Sequence, residues 1–292
     1  DAIEVFHAGL AHQERNDYDQ AIAAFSEAIR LNPRYVEAFY SRGNVYEAKG
    51  QFETAIADYS EVLRFSPKEA VAYYNRGVAR AKQGQLDHAI ADYTAAIGLD
   101  PQYAKAFYNR GLAYARTRRF DEAFADYTEA LRLDPKDADA YVSRGLIHAA
   151  RREFDKAVAD YAAAIEADPA NAKAYGNRAN AYENLGQYDQ ALADYGEVIR
   201  LSPRDAKAYT NRAIVYFNLG EYDRSIADYT EAIRINPRRG RTYYSRGLAY
   251  AKKRQTDHAL ADYSEAIRLE PKNADAYVCR GLARAAKGRW SP

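Results

Sequence analysis

Arginine and aspartate recur in this chain at a fixed interval. Arg42, Arg76, Arg110, Arg144, Arg178, Arg212 and Arg246 stand 34 residues apart, and each is followed 16 residues later by Asp58, Asp92, Asp126, Asp160, Asp194, Asp228 or Asp262. A guanidinium fork matches a carboxylate bidentately, so each Arg can bond the Asp of its own unit. The first unit lacks both, with Ala8 and Ala24 in the two places. That paired absence points to a structural ladder fixing how neighbouring elements pack, a task in which such pairs contribute specificity more dependably than net stability. The alternative is a row of arginines gripping phosphate or carboxylate ligands. One residue before each Arg lies a second polar column: His7, Ser41, Asn75, Asn109, Ser143, Asn177, Asn211, Ser245 and Cys279. Asn is a poor helix-interior residue on propensity alone, so its repetition needs a reason. Its amide offers both donors and acceptors.

Catalytic chemistry has no comparable foothold. His7, His12, His88, His148 and His258 form no metal-ligand spacing with one another or with the single cysteine, Cys279. No glycine-rich phosphate loop and no nucleophile motif is present, so the expectation is a non-enzymatic segment with no cofactor. Lys plus Arg (42) balances Asp plus Glu (41), which removes any global field toward nucleic acid or a membrane surface. Local basic turns, Arg116 with Arg118 and Arg119, Arg151 with Arg152, and Lys252 with Lys253 and Arg254, keep nucleic acid as a weaker alternative. No apolar run reaches the roughly 18 to 20 residues of a membrane span, and no signal segment opens the chain. The absence of methionine and the break in the last unit suggest a piece of a longer protein.

The elements that position these columns follow from the prolines. Pro33, Pro67, Pro101, Pro135, Pro169, Pro203, Pro237 and Pro271 share the 34-residue interval. A period of that size means stacked supersecondary units, and a stack in which each unit touches only its neighbours needs no internal domain boundary. The expectation is one array over 1–292: full units at 2–35, 36–69, 70–103, 104–137, 138–171, 172–205, 206–239 and 240–273, then a partial ninth at 274–292. In the unit starting at Ala104, Phe120, Ala123, Phe124, Tyr127, Ala130 and Leu131 recur at spacings of three and four, an apolar helical stripe. The first half, with Phe107, Gly111 and Tyr114 on one face, ends at a break that is Gly50, Gly84, Gly186, Gly220 or Gly288 in other units. Each second helix stops near its proline. The fold class is therefore all-α, and most of the 27 tyrosines belong to the core.

The aromatic and small residue of the first helix, the Ala–aromatic–Ala series of the second and the closing proline resemble the tetratricopeptide repeat. The resemblance spans the whole chain. It implies a right-handed α-solenoid superhelix of antiparallel helix pairs, with first helices lining a concave groove, and it implies a binding module. In long superhelical members an asparagine ladder holds extended peptide backbones, a role that transfers to Asn75, Asn109, Asn177 and Asn211; Ser143 interrupts the run. Tyr40, Tyr74, Tyr108 and Tyr244 should then point toward the groove, the first three, in successive units, forming an apolar wall. Gly176, Asn180, Glu183, Asn184, Thr210 and Asn218 would make its later half roomier and more polar. Lys105, Lys173, Lys207 and Arg241 add positive charge along the same side, suiting an extended, acidic peptide. The carboxylate clamp known in the family needs a Lys two residues before the Arg column, and no unit supplies one.

The expected function is a protein-interaction scaffold binding an extended peptide or partner segment in the groove. A different class remains open: a self-assembling spacer whose ends stack head to tail, with Trp290 on the exposed edge, an open contact that can extend to filaments. Partner identity and compartment stay unassigned.

Overall fold

The structure, a computed structural model, describes residues 1–289; the expectation for Trp290 lies outside them. Its described residues form helices joined by short turns, and packing divides the chain into two compact units, Asp1–Ala140 and Tyr141–Pro292. The first contains α1 (Ala2–Glu14) with α2 (Tyr18–Leu31), α3 (Val36–Ala48) with α4 (Phe52–Phe65), α5 (Ala70–Lys82) with α6 (Leu86–Leu99), and α7 (Ala104–Arg116) with α8 (Phe120–Leu133). In the second lie most of α9 (Ala138–Ala150), α10 (Phe154–Ala167), α11 (Ala172–Asn184), α12 (Tyr188–Leu201), α13 (Ala206–Asn218), α14 (Tyr222–Ile235), α15 (Gly240–Lys252), α16 (Thr256–Leu269) and α17 (Ala274–Arg289). Every first helix begins at the first residue of its 34-residue unit. None of the described helices is long and apolar enough to cross a membrane.

Local chemistry sets the boundaries. The residue before each of the eight regularly spaced prolines leaves the helical region, as Asn32 does at φ −133°, ψ 92° and Asp134 at φ −130°, ψ 90°, because the proline ring crowds the preceding backbone. The turn inside a pair needs a left-handed residue, which is Gly50, Gly84, Gly186 or Gly220 in four units. Elsewhere a side-chain-bearing residue takes it: Asn16, Arg118, Arg152 and Arg254 all have φ between 61° and 63°. Each arginine there accepts a backbone penalty of about 1 kcal/mol.

Packing inside a pair is a ring against a missing side chain. Tyr59, Tyr93, Tyr127, Tyr161, Tyr195 and Tyr263 are fully buried. A Cβ added at Gly111 would sit 2.7 Å from Tyr127 Cε1, and one at Gly43 2.8 Å from Tyr59 Cε1. In these repeats the ring occupies the space a Cβ would take, whereas the repeats starting at Ala172 and Ala206 carry Ala179 and Ala213 at the same position. The first repeat makes the same contact with Phe25 against Gly9.

Candidate functional site

Two polar systems are built on this frame, one between the helices of a pair and one on the face formed by successive first helices. Between the helices, Arg42 Nε and Nη2 donate to the two carboxylate oxygens of Asp58 at 2.8 and 2.7 Å. Arg110 does the same to Asp126 at 2.8 and 2.8 Å. The forks Arg76–Asp92, Arg144–Asp160, Arg178–Asp194, Arg212–Asp228 and Arg246–Asp262 repeat this geometry. Asp92 also accepts from Arg80 Nη1 at 2.8 Å. The aspartates are buried, and bonding to Asp58 and Asp126 holds Arg42 and Arg110 above the ordinary guanidinium value.

The remaining arm of the fork carries information absent from the Arg and Asp spacing. Arg42 Nη1 donates to Ser26 Oγ at 2.9 Å, Arg76 to Ser60 at 3.1 Å, Arg110 to Thr94 Oγ1 at 3.1 Å and Arg246 to Thr230 at 3.0 Å. These hydroxyls belong to the second helix of the preceding repeat, so one guanidinium ties its own pair together and joins it to its neighbour.

On the first-helix face, tyrosine and asparagine columns meet across the repeat boundary. Asn75 Nδ2 donates to the Tyr40 hydroxyl at 2.9 Å and to Asn44 Oδ1 at 3.3 Å; Asn109 Nδ2 donates to the Tyr74 hydroxyl at 3.0 Å and to the Lys105 carbonyl at 2.9 Å. The Oδ1 atoms of Asn75 and Asn109 take no hydrogen bond among the described residues. In the second unit Tyr244 and Cys279 occupy the same two positions, with O and Sγ 3.8 Å apart. Asn211 bonds the Tyr195 hydroxyl instead, since Gly176 stands where a tyrosine would be. Among the described residues Asn177, half-buried beside Gly176, has no hydrogen-bond partner. The four tyrosines, including the three of the expected wall, are half-buried. Tyr40, Tyr74, Tyr108 and Tyr244 rest on Tyr59, Tyr93, Tyr127 and Tyr263 with ring centroids 5.9 to 6.0 Å apart.

Lys105, Lys173, Lys207 and Arg241 are exposed in the first turns of α7, α11, α13 and α15. Arg241 and Tyr244 line an open cavity of 720 Å³ with Glu270, Lys272 and Asp275. Tyr40 and Ser41 line another of 740 Å³ with Arg34, Glu37 and Glu69. Of the turn arginines, Arg116 donates to the Ala81 carbonyl and Arg119 pairs with Glu122 while covering the Tyr114 ring. His148 Nδ1 lies 2.5 Å from Glu153 Oε2, and among the described residues no group of His, Cys, Asp and Glu could hold a metal ion.

A third grouping joins the face to the core. The Tyr59 hydroxyl lies 2.8 Å from Asn44 Oδ1 and 3.0 Å from Glu47 Oε2; the Tyr195 hydroxyl lies 2.6 Å from both Asn180 Oδ1 and Glu183 Oε1. Burial pushes the Glu183 carboxyl above the ordinary carboxylate range, against the bond from Tyr195, and pushes both tyrosines strongly up. Asn180 and Glu183 stand out in the sequence as part of a polar stretch, whereas Asn44 and Glu47 are easily passed over. The readable signal is that an Asn followed three residues later by Glu occurs in these two columns only in the repeats starting at Val36 and Ala172, four repeats apart.

Models of the tetratricopeptide repeat match residues 6–70, 74–138, 108–172, 177–239 and 240–273. The chain belongs to the tetratricopeptide repeat family. Such proteins are in general protein-interaction scaffolds, and the fold is an α-solenoid of consecutive helix pairs. Among solved structures, the tetratricopeptide repeat chain is similar to MamA, with 29% identity over 56% of this chain and 96% of that one at a TM-score of 0.54. It is also similar in fold to YrrB, described as a tetratricopeptide repeat protein with an unusual peptide-binding site: 23% identity, 67% and 97% coverage, TM-score 0.57. A tetratricopeptide repeat protein from Parabacteroides merdae shares 22% identity over 85% of this chain and 98% of its own, at 0.60. No curated protein sequence matches the chain.

Proposed function

We propose that this tetratricopeptide array holds an extended peptide or partner segment against the face formed by its first helices, with Asn75, Asn109, Asn177 and Asn211 contacting the backbone. The observation that carries the reading is Asn177, a half-buried amide without a hydrogen-bond partner among the described residues, beside the side-chain-free Gly176. A helix interior disfavours Asn, and a half-buried amide with its hydrogen-bonding capacity unspent suits a ligand's N–H and C=O. Asn75 and Asn109 contribute differently. Their amide nitrogens are fixed by tyrosine hydroxyls, which leaves Oδ1 oriented as an acceptor for a peptide N–H. The likeness in fold to YrrB supports the same reading.

A peptide-library screen on the purified chain tests it, run beside the fourfold variant Asn75→Ala, Asn109→Ala, Asn177→Ala, Asn211→Ala with its helicity checked by circular dichroism. Peptides that bind the parent are expected to lose at least about tenfold, roughly 1.4 kcal/mol, in the variant. Selected peptides that bind both equally would remove the amides from the site.

A further inference from the structure

Buried and half-buried carboxylates of the second helices come with cationic partners. Every aspartate of the column faces a guanidinium, and the second-helix glutamates Glu27, Glu61, Glu129, Glu197, Glu231 and Glu265 pair with an arginine three residues on. Glu47 and Glu183 depart from this pattern. Both are half-buried on the first-helix face, and the hydrogen bond that each has is shared with an amide: one tyrosine hydroxyl has a single proton for two acceptors. Among the described residues neither forms an ion pair with a Lys or Arg.

Their positions offer the charge no compensation. Glu47 lies in the last turn of α3 and Glu183 in the last turn of α11, where the helix macrodipole disfavours negative charge. A carboxylate offers about four lone-pair sites, of which the tyrosine proton fills at most one. In the other repeats the position holds Gln13, Ala81, Ala115, Ala149, Phe217, Ala251 and Ala285, so packing of the repeat does not demand an acid. The feature is nevertheless built twice, with the same Asn and the same buried Tyr beneath it.

We propose that Glu47 and Glu183 are sockets for basic side chains, each receiving a Lys or Arg of the bound segment. This rests on the groove reading above and adds the residue class that it selects. A ligand ammonium or guanidinium supplies the charge that the fold omits, and a socket screened on one side by protein makes that pairing stronger than a fully exposed ion pair. The exposed cations Lys173 and Lys207 stand in the first turns of their helices, while Glu183 stands in the last turn of α11. Acidic and basic side chains of one segment would therefore be sorted toward opposite edges of the face.

The test is a display library of random extended peptides selected on the full chain and, in parallel, on the double variants Glu47→Gln, Glu183→Gln and Glu47→Lys, Glu183→Lys. Parent-selected peptides are expected to share Lys or Arg at one or two fixed positions. Replacing that residue by glutamine should cost at least about tenfold on the parent and little on the glutamine variant, and the lysine variant should enrich Asp or Glu at the same positions. Selected peptides with no basic preference, or with a preference unmoved in both variants, would overturn the sockets while leaving the groove reading intact. A failure to select any peptide, with the parent helical and stable, would overturn both.

Discussion

Asp58 and Glu47 lie in the same repeat, both carry a carboxylate into the fold, and the fold treats them in opposite ways. Asp58 meets a guanidinium through two bonds and is 5% exposed. Glu47 shares one phenol proton with an amide. The contrast recurs four repeats later between Asp194, forked by Arg178, and Glu183, held by Tyr195. A charge compensated within the chain spends its electrostatics on holding helices in register. A charge left uncompensated is available to something outside the chain. Within one 34-residue unit, compensation separates scaffold from site more sharply than residue type, since both residues are acids.

The largest effect expected on the scaffold side comes from breaking one fork. Arg110→Leu leaves Asp126 buried and unpaired, and should destabilise the chain by ~3–5 kcal/mol, as breaking a buried pair does. Arg110→Leu combined with Asp126→Leu should recover most of that loss, because no charge is then stranded. Urea denaturation of the two single variants and the double variant gives the coupling; additive losses would mean that the pair contributes no mutual stabilisation.

Glycine substitutions sharpen the same comparison at smaller cost. At Gly111 an added Cβ meets the fully buried ring of Tyr127 at 2.7 Å, so Gly111→Ala should cost ~1–3 kcal/mol through overpacking. At Gly176 the nearest atom to such a Cβ is Val198 Cγ2 at 3.7 Å. Gly176→Ala should therefore stabilise α11 by about 0.5–1 kcal/mol while reducing peptide affinity, if the gap beside Asn177 serves a ligand. A loss of stability at Gly176 comparable to that at Gly111 would place it in the core instead.

Much of the scaffold is legible before any coordinates because it repeats. The 34-residue period puts each first helix at its observed start, and the 16-residue separation of Arg42 from Asp58 places them on facing helices of one pair. What the period hides is how one repeat is rotated against the next. The bonds from Asn75 to Tyr40 and from Arg42 to Ser26 cross that boundary, and their closure depends on the packing angle rather than on spacing. Arg118, Arg152 and Arg254 in left-handed turns are hidden for another reason: glycine is the cheaper residue there, so the sequence signal for the turn is missing where the turn still forms. Glu47 escapes notice because one acid on a helix face resembles any solvated charge until its lack of an ion pair among the described residues is visible.

The smallest predicted effect addresses the other carboxylate. Burial raises the Glu183 carboxyl above its ordinary value of 4.5, so the folded chain keeps that proton to higher pH than the unfolded chain does. Between 4.5 and the raised folded value the native state binds more protons, and stability falls as pH rises through that window. Glu183→Gln has no such titration. At neutral pH it should be more stable than the parent by about 0.3–1 kcal/mol, the scale of a helix-terminus charge effect, and the difference should vanish below the window. Paired urea titrations across pH measure it. A parent more stable than the variant at neutral pH would mean that the Tyr195 bond outweighs desolvation and the dipole, and Glu183 would then join Asp194 on the scaffold side of the comparison.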